Sequence, residues 1–231
     1  MRRLNPKPKR SVHFKTRKRR GSYLGVTGKF PSPHNQHCLF FEGFRERDLI
    51  VLLAFDDTVE RLEDHSIQIE YQEDGKARTY RPDLFVKFRP ASGRTDLLIE
   101  VKMSSELRRT GKQFAARFRA ARLYCRRHSM RFRVITERSL PRPLVGNLRF
   151  LLPYRFEAPE PALDDAFLGL AQECARPLSE YVEKLGALGF ACEDVIFGAW
   201  RLAARQVLKV ELNSPFSMDT KMEAGAWTLT I

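Results

Sequence analysis

The chain has 231 residues, and its 41 Lys/Arg against 28 Asp/Glu leave a formal charge of +13. An apolar content of 43% is enough for a packed core and excludes a chain disordered throughout. No apolar run approaches the roughly 18 residues of a spanning helix, and the charged N-terminus has no apolar segment of a secretory signal. Cys38, Cys125, Cys174 and Cys192 lie far apart with no C-x-x-C pair, which fits reduced thiols in a cytoplasmic protein.

The charge is segregated. Residues 1–41 hold eleven Lys/Arg and no acid, and residues 102–142 hold thirteen against only Glu106 and Glu137. Residues 156–194 reverse the sign, with nine acids against Arg176 and Lys184. Two basic blocks suit a polyanion, most simply DNA, with Lys15, Arg17, Lys18, Arg19, Arg20, Arg108, Arg109 and Lys112 as candidate contacts. The acidic block would repel phosphate and reads as a protein-docking part.

In chain order, residues 1–30 read as a basic arm, and 31–37 as a turn-rich connector. Residues 42–54 read as a helix whose Glu42, Glu46, Leu49, Ile50 and Leu53 share one face. Strand-like runs follow at 66–71, 79–89 and 96–102. The loop Pro90–Thr95 makes the last two a hairpin. Pairing partners whose numbers sum to 185 sets Leu84 opposite Val101, Val86 opposite Ile99 and Phe88 opposite Leu97, an all-apolar face. Residues 104–128 read as a helix with the stripe Leu107, Phe114, Phe118, Ala121 and Cys125, and 131–136 as a strand. Residues 141–161 read as a linker with an apolar stretch. Helical patterns at 162–173, 177–189 and 193–205, with strands at 207–212 and 226–231, suggest a small winged-helix-like α+β domain over 162–231. Residues 31–140 then form the main domain.

The chemistry concentrates in Pro82-Asp83 and, seventeen positions on, Glu100-Val101-Lys102. The period of two turns Glu100 and Lys102 to one strand face. In the register above Asp83 lies opposite Lys102 and diagonal to Glu100, near enough for Asp83 and Glu100 to share a divalent cation. Oxygen donors of this kind suit Mg²⁺, with Mn²⁺ as a substitute. Glu46 could add a carboxylate and Lys102 could orient a water, which is equipment for hydrolysing a phosphodiester. The same residues also fit a cross-strand ion pair between Asp83 and Lys102 with Glu100 exposed. Glu42 competes with Glu46 for the helical position, and Glu46 lies deeper in the stripe. His34, His37 and Cys38 lack the fourth ligand and the spacing of a zinc site.

The order helix with Glu46, strand, Pro82-Asp83 strand, Glu100-Val101-Lys102 strand, basic helix, strand resembles the PD-(D/E)xK nuclease core. Phe44-Arg-Glu46-Arg-Asp-Leu-Ile-Val-Leu-Leu-Ala-Phe55-Asp56, Ile67-Gln-Ile-Glu-Tyr71, Tyr80-Arg-Pro-Asp83 and Ile99-Glu-Val-Lys102 narrow the resemblance to the TnsA family. These are the endonuclease subunits of heteromeric, Tn-seven-like transposases. Asp64-His65-Ser66 departs from the family pattern, where Glu-Gln-Pro is expected. The resemblance implies an α/β fold, a restriction-endonuclease-like mixed sheet with flanking helices, followed by the winged-helix-like domain. It implies metal-dependent cutting of the 5′ strands at transposon ends in a bacterial cytoplasm. A DDE transposase partner, TnsB, would process the 3′ strands, and an AAA+ regulator, TnsC, would dock on the C-terminal part. By motif, Glu46, Asp83 and Lys102 take catalytic positions and Glu100 the variable acidic one. Asp83, Glu100, the Val101 carbonyl and Glu46 would hold the metal. The alternatives are a stand-alone restriction- or repair-type nuclease and a non-catalytic DNA-binding adaptor.

Overall fold

The structure, a computed structural model, describes residues 26–227 and 229. The basic arm therefore lies outside the described residues up to position 25. Its last positions are not a tail: β1 (Thr27–Pro31) pairs antiparallel with β2 (Cys38–Glu42), burying Phe30, Leu39 and Phe41. A Cβ at Gly28 would meet the Phe41 ring at 2.5 Å, so any larger residue there would have to displace that ring. The connecting loop is pinned by Asn35, whose amide donates to the Leu62 carbonyl (2.7 Å) while its oxygen accepts the Leu62 N–H (3.2 Å).

Gly43, at φ 123°, turns the chain from β2 into α1 (Phe44–Ala54). The helix thus starts two residues later than the sequence pattern suggests. Glu42 belongs to the end of a strand and not to the helical stripe. Leu49 through Ala54 are all buried, so α1 is a core helix rather than a half-exposed one.

Next come β3 (Val59–Asp64), β4 (Ile69–Glu73), β5 (Lys76–Tyr80), β6 (Leu84–Phe88) and β7 (Leu97–Val101). α2 (Ser104–Arg127) crosses to β8 (Arg131–Ile135). The run expected at 79–89 is two strands, divided where Pro82 supplies no N–H to a ladder. β4 and β5 form a separate hairpin about Asp74-Gly75, both at positive φ as a tight hairpin turn demands. The main sheet has the order β3-β6-β7-β8, antiparallel except for the parallel β7–β8 pair joined by α2.

The β6–β7 register differs from the expected one by two residues: Leu84 pairs with Ile99, Phe85 with Leu98 and Val86 with Leu97. A slip of two preserves the side-chain faces, so apolar alternation cannot distinguish the two registers. The loop decides. The Asp96 side chain accepts the Phe88 N–H (3.0 Å), and a 3-10 turn over Pro90–Ser92 closes on Gly93 in the left-handed region.

The sheet is covered on both faces. Leu84, Val86, Phe88, Leu97, Ile99 and Val101 join α1 in one core, as expected of that face. Leu98 and Tyr80 pack with Phe114, Phe118, Ala121 and Cys125 of α2 in the other. The result is a mixed α/β, restriction-endonuclease-like arrangement of sheet and flanking helices.

The apolar stretch within 141–161, the span read as a linker, is helical. It forms α3 (Arg142–Leu151), with Val145, Leu148 and Leu151 buried. Pro143 sits in its first turn, where a missing N–H costs nothing. The C-terminal part has α4 (Pro161–Glu173), β9 (Arg176–Pro177), α5 (Leu178–Gly186), α6 (Cys192–Ala204), β10 (Leu208–Val210) and β11 (Lys221–Ala224). The helices match the sequence pattern. The last strand lies earlier than 226–231, of which 228, 230 and 231 are outside the described residues. A three-stranded sheet of order β10-β11-β9 accompanies the helices. Its core is continuous with that under α1: Phe55 lies 5.5 Å from Trp227, and Gln206 donates to the Phe55 carbonyl (2.7 Å). No described helix is long and apolar enough to cross a membrane.

Candidate active site

Pro82 ends the β5 run and releases Asp83 immediately before β6. Continuing the observed register by one step sets Asp83 opposite Glu100 and not opposite Lys102, which corrects the diagonal arrangement. The contact is direct on the backbone side: the Val101 N–H donates to Asp83 Oδ2 at 2.6 Å. Glu100 lies inside β7 and is only 3% exposed, so the alternative of an exposed Glu100 is excluded. A buried carboxylate requires charge compensation and hydrogen-bond donors. It has both. Lys102 Nζ stands 2.9 Å from Oε1, and the Tyr80 hydroxyl donates to Oε2 at 2.7 Å. The ion pair is therefore Glu100–Lys102, within one strand end. The same ammonium donates to the Val101 carbonyl at 3.2 Å.

Glu46 lies in the first turn of α1, where its oxygen accepts the Glu42 N–H at 2.8 Å. Glu42 is thus beside Glu46 but arrives from β2. Burial, then the Asp83 charge, raises the Glu46 carboxyl to about 8. Burial, then the Glu100 charge, raises Asp83 as well, against the opposing pull of Lys102 and the Val101 N–H. Burial would depress the Lys102 ammonium, but Glu100 and Asp83 outweigh it and hold the amine above its usual value. Tyr80 is also raised, by burial first and then by Glu100, so its hydroxyl keeps its proton and donates. Among the described residues, the ammonium that faces Glu46, Asp83 and Glu100 is that of Lys102.

The structure therefore brings Asp83, Glu100, Val101 and Lys102 together, with Glu46 close enough to feel Asp83. Among the described residues no three His, Cys, Asp or Glu side chains close into a ready metal cage. The oxygens are turned instead on Lys102, Tyr80 and backbone N–H groups. The donor set nevertheless suits a hard divalent cation in kind: a buried carboxylate, two half-buried ones and a backbone carbonyl. Mg²⁺ needs only one or two carboxylates, because it keeps several waters.

α2 begins at Ser104, two residues after Lys102. Glu137 caps it, accepting the Ser104 N–H at 2.9 Å and the Ser104 hydroxyl. Ser104 is the first helical residue, and Met103 stands at the N-cap. Arg108, Arg109 and Lys112 follow, exposed on the first turns of this helix. Lys15, Arg17, Lys18, Arg19 and Arg20 lie outside the described residues. Tyr80 is the site residue that residue-type reasoning passes over. Its only sequence signal is a phenol three residues ahead of Asp83 in the segment Tyr80-Arg-Pro-Asp83.

Residues 56–137 match the family model described as TnsA-like endonuclease N terminal. The matched span runs from the end of α1 to the turn after β8, and leaves Glu46 outside it. No curated protein matches the chain. Residues 56–137, with Glu100 in β7 and Asp83 and Lys102 at the strand ends beside it, are thus similar to the N-terminal domain of TnsA-like endonucleases.

Proposed function

We propose that the protein is the metal-dependent endonuclease subunit of a Tn-seven-like transposase, cutting the 5′ strands at transposon ends. The observation that carries this reading is the cluster of buried Glu100 with half-buried Asp83 and Lys102 at the end of a sheet inside the TnsA-like span. Asp83, Glu100 and the Val101 carbonyl would hold Mg²⁺ or Mn²⁺, and Glu46 would complete the acidic side. The cation would supply charge neutralisation on the phosphate and a more acidic bound water.

The chain's own residues supply the rest. The Lys102 ammonium already bridges Glu100 and the Val101 carbonyl, which fixes one N–H direction toward the site. Its remaining donor capacity can hold the attacking water and offset negative charge on the scissile phosphate. Burial and mutual repulsion disfavour the charged forms of Asp83 and Glu46, a cost that a bound cation would offset. Arg108, Arg109 and Lys112, with the basic segment Lys15–Arg20, would hold the DNA backbone.

The helices and three-stranded sheet of 162–231 are read as a winged-helix-like module. Its acidic sequence favours docking of a protein over binding of phosphate. By the family resemblance, TnsC would dock there and TnsB would process the 3′ strands.

The test is cleavage of transposon-end DNA with Mg²⁺ and the partner transposase, comparing wild type with Asp83→Ala. Loss of 5′-strand cutting in the variant, with 3′ processing intact, supports the reading. Equal cutting by both removes it. Cutting of plain duplex without a partner would point to the stand-alone nuclease instead.

A further inference from the structure

Tyr80 ends β5, in the hairpin that packs against α2 rather than in the main sheet. Its ring is buried, 6.5 Å from that of Phe118, and the Arg117 guanidinium lies 5.6 Å from its centre. This packing fixes where the phenol can point. The hydroxyl is aimed at Glu100 Oε2 (2.7 Å) while Lys102 takes Oε1 (2.9 Å). Charge compensation alone would need only the ammonium. One donor on each oxygen does more, because it fixes the plane of the carboxylate as well as its position. Glu100 is thereby held from two elements, the hairpin and its own strand end.

We propose that Tyr80 is a positioning residue for the metal site, acting through Glu100: its hydroxyl holds Oε2 so that the carboxylate presents one fixed orientation to the cation. This rests on the reading of Glu100 as a ligand given above. Tyr80 touches neither the cation nor the DNA. Its contribution is to remove the rotational freedom that Glu100 would otherwise lose on binding. A phenylalanine would fill the same volume among Phe114, Phe118 and Ile69, so packing alone does not account for the hydroxyl.

The test is Mn²⁺ binding by calorimetry to the full chain, with Tyr80→Phe as the variant and thermal melting as the second measurement. Tyr71→Phe, in the partner strand of the same hairpin, is the control for disturbance of that hairpin. The expected result is an affinity for Mn²⁺ weakened about 10-fold in Tyr80→Phe, as for loss of other groups that orient a metal ligand. Tyr71→Phe should bind Mn²⁺ as wild type does. Binding by Tyr80→Phe within about twofold of wild type, whatever its melting temperature, overturns the proposal, as does an equal loss in Tyr71→Phe. Failure of wild type itself to bind Mn²⁺ is the separate outcome that overturns the metal reading and the Tyr80 role with it.

Discussion

Replacing Lys102 by Met keeps the unbranched stem of the side chain and removes its charged end. Glu100, 3% exposed, then loses the ammonium 2.9 Å from Oε1, and Asp83 loses its nearest cation. Breaking one side of a fully buried pair costs about 3–5 kcal/mol. Lys102 is a fifth exposed, so water compensates part of the loss and about 3 kcal/mol is the appropriate magnitude. For a chain of this length that lowers the melting temperature by about 6–12 °C. The assay is thermal melting by circular dichroism near neutral pH, with and without excess Mg²⁺. A divalent cation replaces the missing charge, so Mg²⁺ should raise the melting temperature of Lys102→Met more than that of wild type. A variant that melts within about 1 °C of wild type would refute the claim that this ammonium neutralises the site, given the size of the expected shift. A normal drop with no differential response to Mg²⁺ would refute the claim that a cation can take its place.

Two further predictions concern proton linkage and DNA contacts. Glu46 holds its proton up to about 8 in the fold but only to about 4.5 when unfolded, so its contribution is full below 4.5 and is lost as pH rises toward 8. Metal-free wild type should therefore melt lower at about pH 8.5, just above that window, than at about pH 6, inside it. Glu46→Gln should flatten this dependence, and a melting curve against pH checks it. Replacing Arg108, Arg109 and Lys112 by Ala should weaken DNA binding across sequences. It should also reduce the slope of log K against log salt by about 2.7 if all three contact phosphate, measured by fluorescence anisotropy on duplex DNA.

Periodicity made much of this legible. The stripe Phe114, Phe118, Ala121 and Cys125 is the buried face of α2, and the alternating apolar face of β6 and β7 is the floor under α1. The site residues were legible because Asp83, Glu100 and Lys102 need only strand parity to fall on one face. What was not legible depends on partners distant in sequence. A two-residue slip leaves parity untouched, so only the Asp96 side chain and the 3-10 turn set the true pairing. β3, Val-Glu-Arg-Leu-Glu-Asp, carries four charges and only two apolar residues, and its strand state comes from pairing with β6. Glu42 extends the helical stripe on paper, yet Gly43 at positive φ ends the pattern before α1 begins. Pro141 and Pro143 look like breakers, but they stand at the N-cap and in the first turn of α3, where proline is tolerated. The role of Tyr80 needs the hairpin of β4 and β5 folded against α2, which no local pattern specifies.

The most direct measurement of the central claim is anomalous scattering from a crystal of the full chain soaked in Mn²⁺. The account predicts a manganese peak bounded by Asp83, Glu100 and the Val101 carbonyl, with Lys102 displaced from one or both of its present oxygen partners. Density that leaves Lys102 bridging Glu100 and Val101, with no manganese beside Asp83, would contradict it.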